Sequence, residues 1–189
     1  MPKTLDSKIQ ELMEQHPDLF PTESSVWTYI RGCLRRGFWE KSPMKHRFKQ
    51  SRMEPPPEGY TGRGKKGTYC ALTDEWIMTS KLEVDHKDGN KSLRCEEDVI
   101  DFLVHLLASS EDELQVVSKD AHRIKSYAEK HNMTFDQAKI EKEVIQFSKL
   151  TPEQQRAKLR EHGVGEDSMG NQKKRKDVYR EILGGNYED

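Results

Sequence analysis

The stretch LEVDHKDGN, residues 82–90, decides how this chain is read. Leu82 and Val84 alternate with Glu83 and Asp85, the two-residue period of a β-strand, and Lys87-Asp-Gly-Asn supplies turn-forming residues. Neighbours on a strand point opposite ways, but at a strand's end the backbone can turn both Asp85 and His86 toward one place. These two side chains carry useful chemistry. A carboxylate is a hard oxygen ligand suited to Mg²⁺ or Mn²⁺, and a neutral imidazole with pKa near ~6.5 is a usable base at neutral pH. Hydrolysis of a phosphodiester needs both a base to take a proton from water and a cation to stabilise developing charge. An Asp-His pair alone is most often ordinary polar surface, so the reading needs a second element.

That element is ELQVVSKDAHRIKS, residues 113–126, a short β-branched strand running into a helix that is expected to begin near His122. A histidine in the first helical turn can face back across a hairpin as a second ligand, and Lys125 follows three residues later on the same helix face. Together the two stretches resemble the HNH (ββα-metal) endonuclease family, especially its phage-encoded and homing members. The resemblance covers residues 68–130, about a third of the chain. It implies a β-hairpin and a helix gripping one divalent cation, Mg²⁺ or Mn²⁺. It further implies His86 as general base, Asp85 and His122 as metal ligands, and double-stranded DNA as the substrate. Glu113 stands where the family commonly has an asparagine that fixes the loop carrying the base, and its carboxylate is expected to take over that role. Glu113 and Lys125 are therefore counted with His86 as candidate catalytic residues. Many relatives also carry two Cys-x-x-Cys pairs for a structural zinc. The matching positions here read CALT (70–73) and SKDA (118–121), so no structural zinc is expected. Packing of Trp76, Ile77, Val84, Phe102, Leu106, Val116 and Ile124 is expected to hold the core instead.

Outward from this region the chain reads as helical. Leu5, Ile9, Leu12 and Met13 share a helix face closed by Pro17. A second helix is expected over 22–36, ended by Gly37, and a third over 42–53, opened by Ser42-Pro43. Pro55-Pro56-Pro57 is expected to form an extended linker. Residues 67–86 read as two short strands around a turn at 73–75, a candidate hairpin. A helix over 96–108 is expected to brace that hairpin through Phe102 and Leu106. Three more helices are expected over 134–150, 151–162 and 173–183. The expected fold class is α+β, mostly helical, with a ββα core flanked by N- and C-terminal helices. The expected regions are a basic helical DNA-binding segment (1–56), the nuclease core (57–132) and a helical segment for DNA or partner contact (133–189).

The formal net charge of -1 hides local asymmetry. Residues 31–66 hold eleven Lys or Arg against three acids, an excess that suits a phosphate backbone, although a solvated polar face gives the same pattern. Candidate DNA contacts there are Arg31, Arg35, Arg36, Lys45, Arg47, Arg63, Lys65 and Lys66. Arg123 lies beside the candidate ligand, and Lys173, Lys174 and Arg175 form a second basic run. Three widely spaced cysteines, Cys33, Cys70 and Cys95, do not suggest a disulfide framework. Neither an apolar run of membrane-spanning length nor a secretory leader is visible, which points to an intracellular, cytoplasmic protein without a membrane partner. Two competing expectations are a DNA-binding or packaging-associated accessory protein with a degenerate HNH motif, and a subunit acting as a homodimer or with a phage protein partner.

Overall fold

The computed structural model describes residues 4–89, 91–107 and 110–185. Asn90, at the end of the quoted turn, and Ala108, at the expected end of the fourth helix, lie outside them. The fold is α+β and mostly helical, with eight α-helices and four short strands among the described residues. The chain divides into two compact units, 1–122 and 123–189.

In the first unit, α1 (Leu5–Gln15) starts where the Thr4 hydroxyl accepts the Ser7 N–H, and α2 (Glu23–Leu34) where Thr22 and Ser25 form a reciprocal cap. Gly37 does not end this helix, contrary to the sequence expectation. The chain continues through a π-helical turn, Arg35–Trp39, in which the Glu40 N–H reaches back to the Arg35 carbonyl. One extra residue in the turn shifts the helical phase of the side chains after it, and Trp39 is thereby packed against the core instead of standing in solvent. Ser42 caps α3 (Pro43–Ser51), whose Phe48 is buried.

The expected hairpin about the turn at 73–75 is present, but it ends at Met78 and does not include the Asp-His stretch. β1 (Gly67–Tyr69) and β2 (Trp76–Met78) form a small antiparallel pair, with Thr68 opposite Ile77, closed by a turn through Asp74 at φ 54°. Gly67 is required by close approach, because a Cβ there would stand 2.1 Å from the Ile77 carbonyl oxygen. The strand bearing Asp-His is a separate one, β3 (Leu82–His86), and its antiparallel partner is β4 (Leu114–Ser118), far along the chain. Val84 faces Val116, Asp85 faces Gln115 and His86 faces Leu114. β3 alternates buried and half-buried residues, while β4 is buried through Leu114, Gln115, Val116 and Val117. A strand covered on both faces reads as a continuous apolar run, so β4 could be found from sequence but its register against β3 could not.

The connection from β3 to β4 carries α4 (Asp98–Leu107). Phe102 and Leu106 do not brace the hairpin as expected. They join Ile9, Val26, Trp27 and Leu93 in a core with α1 and α2, where burying each large side chain contributes about 1.5–3 kcal/mol. Of the expected core residues, Ile77, Val84, Phe102, Leu106 and Val116 are buried, whereas Trp76 and Ile124 are only half-buried. β4 runs directly into α5 (Lys119–His131), three residues earlier than the expected start at His122.

The second unit contains the rest of α5 with α6 (Phe135–Ser148), α7 (Pro152–Arg160) and α8 (Gln172–Leu183). Thr134 and Thr151 open α6 and α7 with reciprocal caps. Val144, Phe147, Leu159, Val164, Met169 and Tyr179 form this unit's own core. Among the described residues no helix is long and apolar enough to cross a membrane.

Candidate metal centre and its surroundings

Pairing of β3 with β4, followed at once by α5, brings two sequence-distant groups together. On β3, Glu83 and Asp85 are two residues apart and share one face, while Leu82, Val84 and His86 share the other. The first turn of α5 places the His122 ring against the carboxylate face. His122 Nε2 lies 3.5 Å from Asp85 Oδ1, and Nδ1 lies 2.5 Å from Glu83 Oε2. Asp85 first, then Glu83, hold the imidazole above the usual histidine range, against the opposing effect of burial.

The opposite side of Asp85 is fixed as well. Gln115, its cross-strand neighbour, donates to Asp85 Oδ2 at 3.2 Å and, less tightly, to the His86 carbonyl at 3.5 Å. The loop after His86 is tied by the Lys87 N–H to the Glu113 carbonyl at 2.8 Å. The Glu113 carboxylate accepts the Ser110 N–H and so caps the short turn before β4. The Glu113 main chain and the Gln115 amide thus also tie down the end of β3 and the loop after it.

His86 does not turn toward Asp85 and His122. It is 6% exposed, with the Trp39 ring tilted against it at 4.1 Å and the His105 ring at 4.0 Å between ring centroids. Burial lowers the affinity of His105 for a proton, with nearby Asp88 opposing. The expectation that all three motif side chains converge is corrected in this respect: strand alternation persists to the last residue of β3, because His86 is still paired with Leu114.

The donor set suits a hard divalent cation. Two donors each about 2.1 Å from a common ion stand roughly 3.0–3.5 Å apart, the range in which Asp85 Oδ1 and His122 Nε2 already lie. A carboxylate on the far imidazole nitrogen is the arrangement that fixes the tautomer of a metal-bound histidine, and Glu83 is in that place. Among the described residues no group of three or more His, Cys, Asp or Glu is assembled for a metal ion.

Other expected residues are dispersed. Lys125 is half-buried in the second unit and pairs with Glu129 at 3.1 Å. Arg35, Arg36, Arg63, Lys65, Lys66, Arg123, Lys173 and Lys174 are exposed, and Arg31 is half-buried. Lys45 pairs with Glu40 at 2.8 Å, and Arg47 approaches Glu111 at 3.5 Å. Arg175 is a correction: it is 4% exposed and bonds Gln155 Oε1 at 2.8 Å and the carbonyls of Met169 and Gly170 at 3.0 and 2.8 Å. It holds the second core together and presents no charge to a phosphate. Cys70 is buried, its Sγ accepting the Ser118 N–H at 3.3 Å.

Sequence reasoning missed Glu83, Gln115, Trp39 and His105. Glu83 carried a usable signal, since period-two spacing puts it beside Asp85. The other three depend on register and on the π-helical turn, which no local pattern announces. No family model, curated protein or solved structure matches this chain.

Proposed function

We propose that this protein is a metal-dependent DNA endonuclease in which Asp85 and His122 hold one divalent cation and His86 acts as general base. The observation that carries the reading is the 3.5 Å approach of Asp85 Oδ1 to His122 Nε2, made by residues 37 positions apart, with Glu83 on the other ring nitrogen. A solvated surface pair has no need of such an arrangement. Bound Mg²⁺ or Mn²⁺ would supply Lewis-acid stabilisation of the charge that builds on the phosphate and the leaving oxygen. The side chains do the rest. Glu83 accepts from Nδ1 and presents the Nε2 lone pair of His122, and Gln115 keeps Asp85 in its rotamer. His86 stands on the other face of β3, so it takes the proton from the attacking water once the end of that strand has turned it toward Asp85 and His122, and the products carry 5′-phosphate and 3′-hydroxyl ends.

The cover over His86 has a consequence in this reading. An imidazole packed between Trp39 and His105 on the far face of β3 reaches the cation only when it leaves both rings and the last residue of the strand turns, and in this reading DNA binding supplies that change. The same cover favours a second reading, a DNA-binding accessory protein whose motif no longer turns over. Nicking of supercoiled plasmid in Mg²⁺ or Mn²⁺ separates the two. The endonuclease reading expects nicking that EDTA abolishes and that His86→Ala lowers at least ~100-fold without loss of DNA binding. Nicking unchanged in His86→Ala removes His86 as the base, and absence of nicking under every metal leaves the accessory reading.

A further inference from the structure

We propose that a cavity beside the candidate metal centre binds a phosphodiester of the substrate strand next to the one cleaved, with Lys49 and Lys119 as its cationic donors; this rests on the endonuclease reading above. The cavity measures about 380 Å³ and is bounded by the end of the π-helical turn, by α3, by β3 and by the first turn of α5. His122 lines it and Asp85 does not, so it lies alongside the candidate centre.

Its charges select an anion. Two carboxylates reach it, and each is already matched: Glu83 by His122 at 2.5 Å and Glu40 by Lys45 at 2.8 Å. Lys49 and Lys119 also line the cavity, and among the described residues neither has an ion-pair partner. Two lysines without a carboxylate partner therefore line a polar hollow, with the exposed His46 as a further donor in its lining. α5 begins at Lys119, which adds the partial positive charge of a helix N-terminus to the same rim.

The walls favour backbone phosphate over a base. Trp39 is the aromatic side chain in the lining, and its ring is already occupied by His86 at 4.1 Å and by the Lys45 ammonium at 4.9 Å. A base stacked there would have to displace one of them. A strand lying across His122 with its scissile phosphate at Asp85 would bring a neighbouring phosphate over the cavity.

The test uses the full chain and a duplex in EDTA, so that binding is read without cleavage. The Lys49→Gln/Lys119→Gln double variant is expected to lower the slope of log affinity against log salt by about 1–2 and to weaken all sequences alike. Ethylation of the phosphates flanking the nick is expected to impair binding by the original protein and to leave the double variant indifferent. An unchanged slope, or interference that persists in the variant, overturns the site. Inorganic phosphate serves as the competing ligand: if calorimetry detects a Lys49- and Lys119-dependent phosphate site while the DNA slope is unchanged, the cavity takes a free anion and the strand assignment is wrong. A variant whose melting curve departs from the original is replaced by Lys119→Gln alone, judged by the same slope and interference. The endonuclease reading fails separately, through absence of metal-dependent nicking, even where the slope responds as expected.

Discussion

Glu83 decides what His122 can do. The two carboxylates, Asp85 at 3.5 Å from Nε2 and Glu83 at 2.5 Å from Nδ1, raise the proton affinity of the metal-free imidazole, and its protonated form is a cation between them. The folded state then binds a proton more tightly than the unfolded chain, whose histidines titrate near ~6.5. Where the native state holds more protons, stability falls as pH rises. This contribution is fully present below the unfolded value and is lost as pH climbs through the raised folded value. Thermal melts in EDTA at intervals from slightly acidic to alkaline pH are expected to show His122→Asn losing its deficit relative to the original protein as pH rises. A deficit independent of pH would mean that the imidazole is neutral in the fold.

At the scale of elements, two helices that read alike in sequence do different work. α3 carries its basic side chains on half-buried and exposed positions around one buried Phe48, while α8 sends Arg175 into its own core. Replacing Arg175 with Ala leaves Gln155 Oε1 and two carbonyls without their donor, at about 1–3 kcal/mol for each acceptor stranded in the interior. Denaturant unfolding is expected to show a loss of about 3 kcal/mol for Arg175→Ala and almost none for Lys173→Ala, with DNA affinity not specifically reduced by the former. Equal, small losses would place Arg175 on the surface. The inward turn of Arg175 escapes a reading of sequence for a plain reason: KKRK is a uniform run of charge, and only helical phase relative to Val178, Tyr179 and Ile182 distinguishes the buried residue. Helix starts were legible because Thr22, Ser42, Thr134 and Thr151 are local caps. The partner of β3 was not legible, because long-range strand pairing is chosen by the whole core.

Across the whole molecule, a net charge near zero coexists with a first unit that contains the basic segment 31–66 and the β3–β4 pair and a second unit with its own core. The two motif stretches were visible in sequence as residue types in order. That Asp85 and His122 meet was expected from the resemblance, but the means were not legible: a β3–β4 register that sets Asp85 opposite Gln115, and α5 starting at Lys119. The central claim, one cation held by Asp85 and His122 and aimed by Glu83, is tested most directly by Mn²⁺ binding to the intact protein, followed by calorimetry and by loss of the free-ion paramagnetic resonance signal. The account predicts one Mn²⁺ per chain, binding abolished by Asp85→Ala or His122→Ala, and an affinity lowered about 10–100-fold by Glu83→Gln. Binding of Mn²⁺ that is indifferent to all three substitutions would contradict it.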